Sequence, residues 1–506
     1  MNAGRQEFQD CLIDGGRLLI AADFDQQDEF LELGSDRSRL RSPGHQAVIE
    51  AASTNEVAAI VRLALQNNQP LRIAGGRTGL VGGAIAGQDE IVVSLKRMDH
   101  ILGYDSNLNA LELEAGVITA HAETRARELG MRFPIDLAAS GSSQVGGNIA
   151  THAGGNRVVY NGLLRHYIVG LTVVTGTGEI LELNETVLKN NTGYPLLQLF
   201  IGSEGTLGVI TKARIRLTPG PRDLKTALFA LNHPQAAFDV LHLFENAGVP
   251  LQAFEFFDEL ACQLVCSHLS IKPPFVLHQG AAADQSQPAG AYVLVEWDGA
   301  EVHSDQMMSV FEQIEASFPG LPGRLADNSR DRADLWRYRE SISESISMEF
   351  LAAKNDISIP LDMIPEFIAN LGNWVAAIVQ QTKSVDDTDL DMPDLQATVI
   401  GHLADGTLHI NLLGPAVRSQ PDQNRIIAFQ QAAKSINEKV YNYIYRNGGS
   451  ISAEHGIGIL KREALMQFHD AATMQYMRAI KQVFDPGGIL NPGVLFVEAS
   501  ADERAP

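Results

Sequence analysis

The chain has 506 residues, 45% hydrophobic and 20% charged, and its 61 acidic side chains outnumber 39 basic ones for a formal net charge of -22. That length is too great for one core and predicts about two to four folding units. The acidic balance disfavours nucleic acid as a partner without excluding a small anionic substrate gripped by local cations, and no run of about 18 apolar residues could span a bilayer.

The leader, residues 1–40, is expected to be irregular; its Glu7, Asp10 and Asp14 do not suit a signal or transit peptide. Ala47-Val-Ile-Glu-Ala51 reads as a strand, and Thr54 opens an amphipathic helix to about Asn67 with Glu56 near its positive end. Pro70 to Ala74 is a strand that runs into Gly75-Gly-Arg-Thr-Gly-Leu-Val-Gly-Gly83. Strands at Ile91–Leu95 and Leu111–Ala115 and a helix from Thr119 to Leu129 lead to a second glycine-rich stretch, Pro134 to Asn156. A hairpin follows, Val169–Val174 and Glu179–Leu183 about Gly176-Thr-Gly178, and then Gly202-Ser-Glu-Gly-Thr-Leu-Gly-Val-Ile-Thr211 with an alternating strand to Pro219.

Pro219-Gly-Pro221 is the best boundary. Beyond it, strands at Leu224–Ala230 and Ala291–Glu296 and a helix at Ala236–Asn246 mix as in an α+β domain. Residues 280–290 and 384–393 have loop composition. Cys262 and Cys266, one helical turn apart in an apolar stretch, read as buried thiols; with Cys11 they are the chain's three cysteines, and they point to a reducing compartment, hence the cytoplasm if the source is a bacterium.

His402 and His409 flank Asp405-Gly406 symmetrically. If that dipeptide is a two-residue hairpin turn, the histidines oppose each other about 5 Å apart at Cβ, near enough to share a metal ion. Ile400 and Asn411 then share their face. A bare histidine pair is usually nothing; its context has to supply the rest.

Two long glycine-rich loops in one α/β domain suit a dinucleotide whose pyrophosphate lies against backbone amides. Gly-x4-Gly-Lys-Ser/Thr is absent, and Gly176-Thr-Gly178 lacks a third glycine, which disfavours a P-loop ATPase and a Rossmann dehydrogenase. Both loops together with Phe200-Ile-Gly-Ser-Glu-Gly-Thr-Leu-Gly-Val-Ile-Thr211 resemble the flavin-binding domain of the vanillyl-alcohol oxidase family. Ser452-Ala-Glu-His-Gly-Ile-Gly458 and Phe484-Asp-Pro-Gly-Gly-Ile-Leu-Asn-Pro-Gly493 look like its D-2-hydroxyacid dehydrogenase branch, and the likeness covers about residues 40 to 497.

The resemblance implies an α+β protein: a two-subdomain FAD-binding domain over residues 41–220, a substrate or cap domain over 221–455, and a segment over 456–506 that returns to the first. It implies FAD, held without a covalent bond because Leu80 stands where some members carry the linking histidine. Gly75, Gly76, Arg77, Thr78 and Gly79 would meet the pyrophosphate, Leu80 would also border the cofactor, and Pro134, Gly141, Ser142, Gly146, Gly147, Asn148, Thr151 and Gly155 would line the flavin. Glu204 and Ile210 would lie at the adenosine or ribityl side, with Asn491 added from the C-terminal motif.

In this branch the positions of His402, His409 and Glu454 are implied to bind a divalent metal and that of His455 the catalytic base. Two imidazoles and a carboxylate suit an open zinc site, with manganese or iron as alternatives. Arg339 and Lys354 match positions that hold substrate carboxylate; Ser343 falls one helical turn after Arg339 on the same face, and Asn411 could bond the first carboxylate. Two cationic grips, and the resemblance of Pro134-Ile-Asp-Leu137 to 2-hydroxyglutarate dehydrogenases more than to glycolate or lactate enzymes, favour a dicarboxylic D-2-hydroxyacid, D-2-hydroxyglutarate or D-malate. The alternatives are D-lactate or glycolate, a flavin subunit with iron–sulfur partners, and an ether-lipid transferase, whose run of adjacent histidines is here the single His455. The electron acceptor (electron-transfer flavoprotein, cytochrome, quinone, oxygen or dye) and the oligomeric state, with a homodimer one option, stay open.

Overall fold

The computed structural model describes residues 2–38, 40, 43–184, 187, 189–220, 223–275, 290–383 and 395–497; the expected loops at 280–290 and 384–393 lie outside these, Gly290 excepted. The chain divides into two compact units, one of Met1–Gly155, Asn161–Gly220 and Glu454–Pro506, the other of Asn156–Tyr160 and Pro221–Ala453. Among the described residues no helix is long and apolar enough to cross a membrane.

The leader is not irregular. Asn2–Asp10 form helix α1, and Arg17–Leu19 form strand β1, which pairs antiparallel with β2, Ala47–Glu50. The reason is burial, since Phe8 is 5% exposed in the same core as Ile49. Helix α2, Thr54–Gln66, is capped by Ser53, which accepts from the Glu56 amide. Glu56 returns to the Ala52 amide at 2.7 Å and also accepts from the amides of Asp14 and Gly16, which ties the leader to α2. Strands β3, Leu71–Ala74, and β4, Ile91–Ser94, complete a four-stranded sheet in the order β1-β2-β4-β3, with β2, β4 and β3 parallel. Both its faces are covered, as parallel strands require: Ile49, Leu71 and Val93 pack on Val57, Ile60 and Val61 of α2, while Val48, Ala74 and Val92 pack on Phe30 and Ala86.

The second sheet of this unit joins β5 (Ile101–Asp105), β6 (Ala110–Glu114), β7 (Ile168–Thr175), β8 (Ile180–Asn184) and β9 (Gly208–Arg216), all antiparallel, in the order β5-β6-β9-β7-β8. Leu111, Leu113, Leu171 and Ala213 pack with Ala122 and Ala126 of α3, Thr119–Glu128, and with Val145 and Ile149 of α4, Val145–Thr151. The second glycine-rich motif is thus a short helix seated on this sheet.

The second unit is built on seven antiparallel strands in the order β13-β10-β12-β11-β15-β16-β14. These are β10 (Leu224–Leu231), β11 (Leu251–Asp258), β12 (Ala291–Asp298), β13 (Gly323–Leu325), β14 (Phe350–Ser358), β15 (Gln396–His402) and β16 (Thr407–Ala416). Phe257, Leu294, Ile400 and Leu413 pack beneath α5 (Glu259–Leu269), α6 (Ser329–Glu340) and α7 (Ile342–Glu349) through Ala261, Val265, Leu335, Ile342 and Ile346. Residues 156–160 go with this unit rather than with the glycine-rich loops because Arg157 pairs with buried Glu296, which also accepts from Trp336 and Thr226.

Candidate functional site

In the first unit the two glycine-rich loops meet backbone to backbone. A methyl group on Gly76 would lie 2.1 Å from the Ser142 carbonyl oxygen, one on Gly155 2.2 Å from that of Asp136, and one on Gly146 2.6 Å from Ala115 Cβ. Gly147, by contrast, opens onto free space, and a methyl group on Gly75 would lie 3.5 Å from its Cα. Arg77 adopts φ +54, and burial lowers its guanidinium. Among the described residues no amide from Arg77 to Gly83 donates a hydrogen bond, and buried Gln144 Oε1 beside Gly75 has no partner. Unspent amides at a backbone-walled gap are what a pyrophosphate needs, so these residues fit FAD.

Other residues expected at the flavin work inside the protein. Asn148 donates to Thr119 Oγ1 at 2.7 Å, Thr151 to the Gly147 carbonyl, and the Pro134 carbonyl accepts from Asn161. Asn491 donates to the Glu204 carbonyl and accepts from the Ile73 amide, each at 2.7 Å. Ile210 is buried in β9, while Thr78 and Leu80 stay partly accessible and Gly79 and Gly141 are exposed. Sequence reasoning missed Arg72, a fully buried guanidinium bound to Glu90 at 2.6 and 2.9 Å, with further bonds to the carbonyls of Gly83 and Pro492. It anchors the far end of the first loop. Glu454 lies against the second, where a methyl group on Gly154 would meet its Oε1 at 2.5 Å. The next helix, α8 (Arg462–Phe468), starts well after them, so Glu454 and His455 do not cap a helix.

In the second unit the hairpin is not the two-residue turn expected. Leu403–Asp405 form a 3-10 turn closed by Gly406 at φ +79, so His402 opposes Thr407 and His409 opposes Ile400. The longer connection buries Leu403 completely, and Asp405 accepts from the Thr407 amide. The slip is two places, an even number, so the histidines keep a common face as diagonal neighbours. Their rings stand 5.4 Å apart between centroids at 89°, and a nitrogen of each lies within 4.8 Å of the other.

Neighbouring strands then place a carboxylate behind each ring. Glu255 on β11 opposes His402 and meets its Nδ1 at 2.8 Å; Asp356 on β14 opposes His409, with Oδ1 3.6 Å from Nδ1. Both carboxylates are fully buried. Burial alone would raise the Glu255 carboxyl, but the adjacent charges of His402 and Arg339 outweigh it and hold the group below the usual carboxylate range. The Glu255 carboxylate hydrogen-bonded at Nδ1 fixes the His402 ring and leaves its Nε2 as the donor atom, the arrangement that orients histidines toward a metal, while Asp356 stands at ion-pair distance from His409. Neither carboxylate was foreseen. The signals were present, however: Glu255 interrupts Phe254-Glu-Phe-Phe257, and Asp356 shares its strand face with Lys354.

Lys354 directly opposes Asn411, so both continue the histidine face. Burial lowers the Lys354 ammonium, which donates to Ser347 Oγ at 2.9 Å. Arg339 has a partner inside the protein. It is 8% exposed, and its Nε sits 2.9 Å from Glu255 Oε2 as an ion pair without hydrogen-bond alignment. Part of its charge therefore braces the carboxylate behind His402. Ser343 does not continue the helix of Arg339, because Ser341 ends α6 and Ser343 lies in α7, exposed.

Residues 220–495 match the C-terminal domain of FAD linked oxidases, and residues 45–184 match an FAD binding domain. The chain belongs to the FAD-linked oxidase family. A D-2-hydroxyglutarate dehydrogenase of Stutzerimonas stutzeri is 35% identical over 486 residues, 96% of this chain and 97% of that protein. A D-lactate dehydrogenase of Anaerostipes hadrus is 32% identical over 88% of this chain and 89% of its own. Among solved structures, p-cresol methylhydroxylase is similar with a TM-score of 0.71 at 14% identity, over 98% of this chain and 97% of that one. The fold is that of the vanillyl-alcohol oxidase type, helices and sheets mixed.

Proposed function

We propose that this FAD-linked oxidoreductase dehydrogenates D-2-hydroxyacids at carbon 2 with the help of a divalent metal, zinc by its donor set, and prefers a substrate with a second carboxylate, such as D-2-hydroxyglutarate. The observation that carries the reading is the pair of carboxylate-backed imidazoles on one strand face with Asn411 and Lys354. Such a pair is costly to build for packing alone, since it buries two acids. His402 and His409 would hold the metal, with Glu454 as the third ligand; along the chain it lies two residues past Ser452, whose hydroxyl reaches Asp356 at 3.2 Å.

FAD supplies the acceptor for the electron pair leaving carbon 2, and a metal supplies polarisation of the 2-hydroxyl. His455 removes the hydroxyl proton as general base. Asn411 orients the first carboxylate by hydrogen bonding, and Lys354 holds the second, exchanging its Ser347 bond for a charged one. Arg339 keeps Glu255 ionised behind His402 and offers its remaining donors to the substrate, with Ser343 beside it in sequence. The relatives named for D-2-hydroxyglutarate and for D-lactate both support oxidation of this substrate class. D-Lactate is the second reading, favoured by the Lys354–Ser347 bond, which already satisfies the ammonium that a monocarboxylate would leave alone. Leu80 at the position of the linking histidine supports a dissociable FAD.

Lys354→Ala should cut turnover of D-2-hydroxyglutarate about tenfold or more, the value of one charge-assisted hydrogen bond, and that of D-lactate far less. Equal losses on both acids would remove the dicarboxylate preference. Acid precipitation should leave the flavin in the supernatant; yellow colour that stays with the polypeptide would refute non-covalent binding.

A further inference from the structure

The structure assigns Glu204 a task different from cofactor contact: we infer that it is a positioning residue, a clasp that sets the Glu454-His455 segment from the flavin-side loops. This rests on the proposed role of His455 as the base. Glu204 occupies a turn at φ +51 and is 8% exposed. Its backbone is fixed first, the amide donating to the Ala150 carbonyl at 2.7 Å and the carbonyl accepting from Asn491. Its carboxylate is then fully committed. Oε1 accepts from the Ile457 amide at 2.7 Å and Oε2 from the Gly458 amide at 2.8 Å.

The fit is tight enough to need glycine. A methyl group on Gly456, at φ +80, would lie 2.8 Å from Glu204 Oε1. On the opposite side the same segment hangs from the first glycine-rich loop, for Ile459 and Leu460 both donate to the Val81 carbonyl, at 2.9 and 3.1 Å, and a methyl group on Gly458 would lie 2.2 Å from that oxygen. His455 and Glu454 are thus the residues immediately before a stretch gripped between the loops that fit FAD. Two amides side by side require two acceptors. Each amide meets its own oxygen, so a glutamine held in the same place sets a donor NH2 against one of the two amide N–H groups and loses that bond.

The test is hydrogen–deuterium exchange of the FAD-loaded wild type and Glu204→Gln, read on the peptide that contains residues 456–460, together with FAD content and the rate of flavin reduction by D-2-hydroxyglutarate. The clasp predicts exchange at least about tenfold faster in that peptide, FAD retained, and a reduction rate at saturating substrate lowered about tenfold or more with little change in KM, as for a group that matters in the transition state. Glu204→Asp, which is too short to reach both amides, should fall between. If Glu204→Gln does not fold, the aspartate variant carries the same comparison. Unchanged exchange in that peptide overturns the clasp, as does loss of FAD with a normal reduction rate in the reconstituted fraction. A wild-type flavin that no D-2-hydroxyacid reduces would sink the proposed reaction, while the exchange result would still judge Glu204.

Discussion

The glycine-rich loops of the first unit and the hairpin face of the second provide for ligands by opposite means. In the loops, side chains are removed: Gly76 and Gly155 press backbone to within contact of backbone, Gly146 closes on Ala115, and amides are left without a partner among the described residues. On the hairpin face, side chains are added, and each histidine has a buried carboxylate beside it, Glu255 at His402 and Asp356 at His409. A backbone site therefore depends on what is absent and on a few anchors that hold the chain still. A side-chain site depends on buried charges that must balance each other.

The sharpest break in this contrast should come at an anchor. Arg72→Met strands the Glu90 carboxylate and frees the carbonyls of Gly83 and Pro492, and should cost about 3–5 kcal/mol in urea unfolding followed by flavin release. A loss under about 1 kcal/mol would mean that the loop does not hang from this pair. On the other face, Glu255→Gln should weaken metal binding about 10–100-fold in a chelator competition, the usual effect of removing the group behind a liganding histidine. Unchanged affinity would reduce Glu255 to a packing residue.

Next in size, Gly76→Ala forces a methyl group onto the Ser142 carbonyl and should destabilise the protein by about 1–3 kcal/mol while weakening FAD, measured by flavin fluorescence on dilution. Normal FAD affinity would show that the close approach is not part of the cradle. The smallest effect concerns acid. His152 is pushed down from 6.5 to about 4 by burial and then by the charges of Arg165 and His166. The unfolded chain takes up this proton first, so the stabilisation is present above pH 6.5 and is lost as pH falls toward about 4. His152→Gln should flatten the fall of melting temperature across that window, and an unchanged slope would place the acid sensitivity elsewhere.

The two regions also differed in how far they could be read from the sequence. Glycine marks its own use, so Gly75 to Gly83 and Gly141 to Gly155 stood out before any coordinates, as did the strands and helix around them. The histidines stood out too, yet their register was misjudged by two residues because Leu403, an apolar residue in a presumed tight turn, had a buried place to fill. Glu255 lies 147 positions from His402 and meets it only through strand order β11-β15, which no local pattern discloses. Arg339 and Ser343 were joined on one helix because nothing in their spacing reveals the break at Ser341. The partners of Glu204 were hidden for a similar reason, since Ile457 and Gly458 lie 253 and 254 positions away.

All of this converges on one prediction, that the imidazole pair serves a metal used in oxidising a 2-hydroxyacid on FAD. The most direct measurement is anaerobic bleaching of the bound flavin by D- and L-2-hydroxyglutarate, before and after treatment with a chelator and again after metal is restored. The account predicts rapid bleaching by the D acid alone, its loss on chelation and its recovery with zinc or another divalent ion. Bleaching that persists at full rate in metal-free protein, or equal bleaching by the L acid, would contradict it.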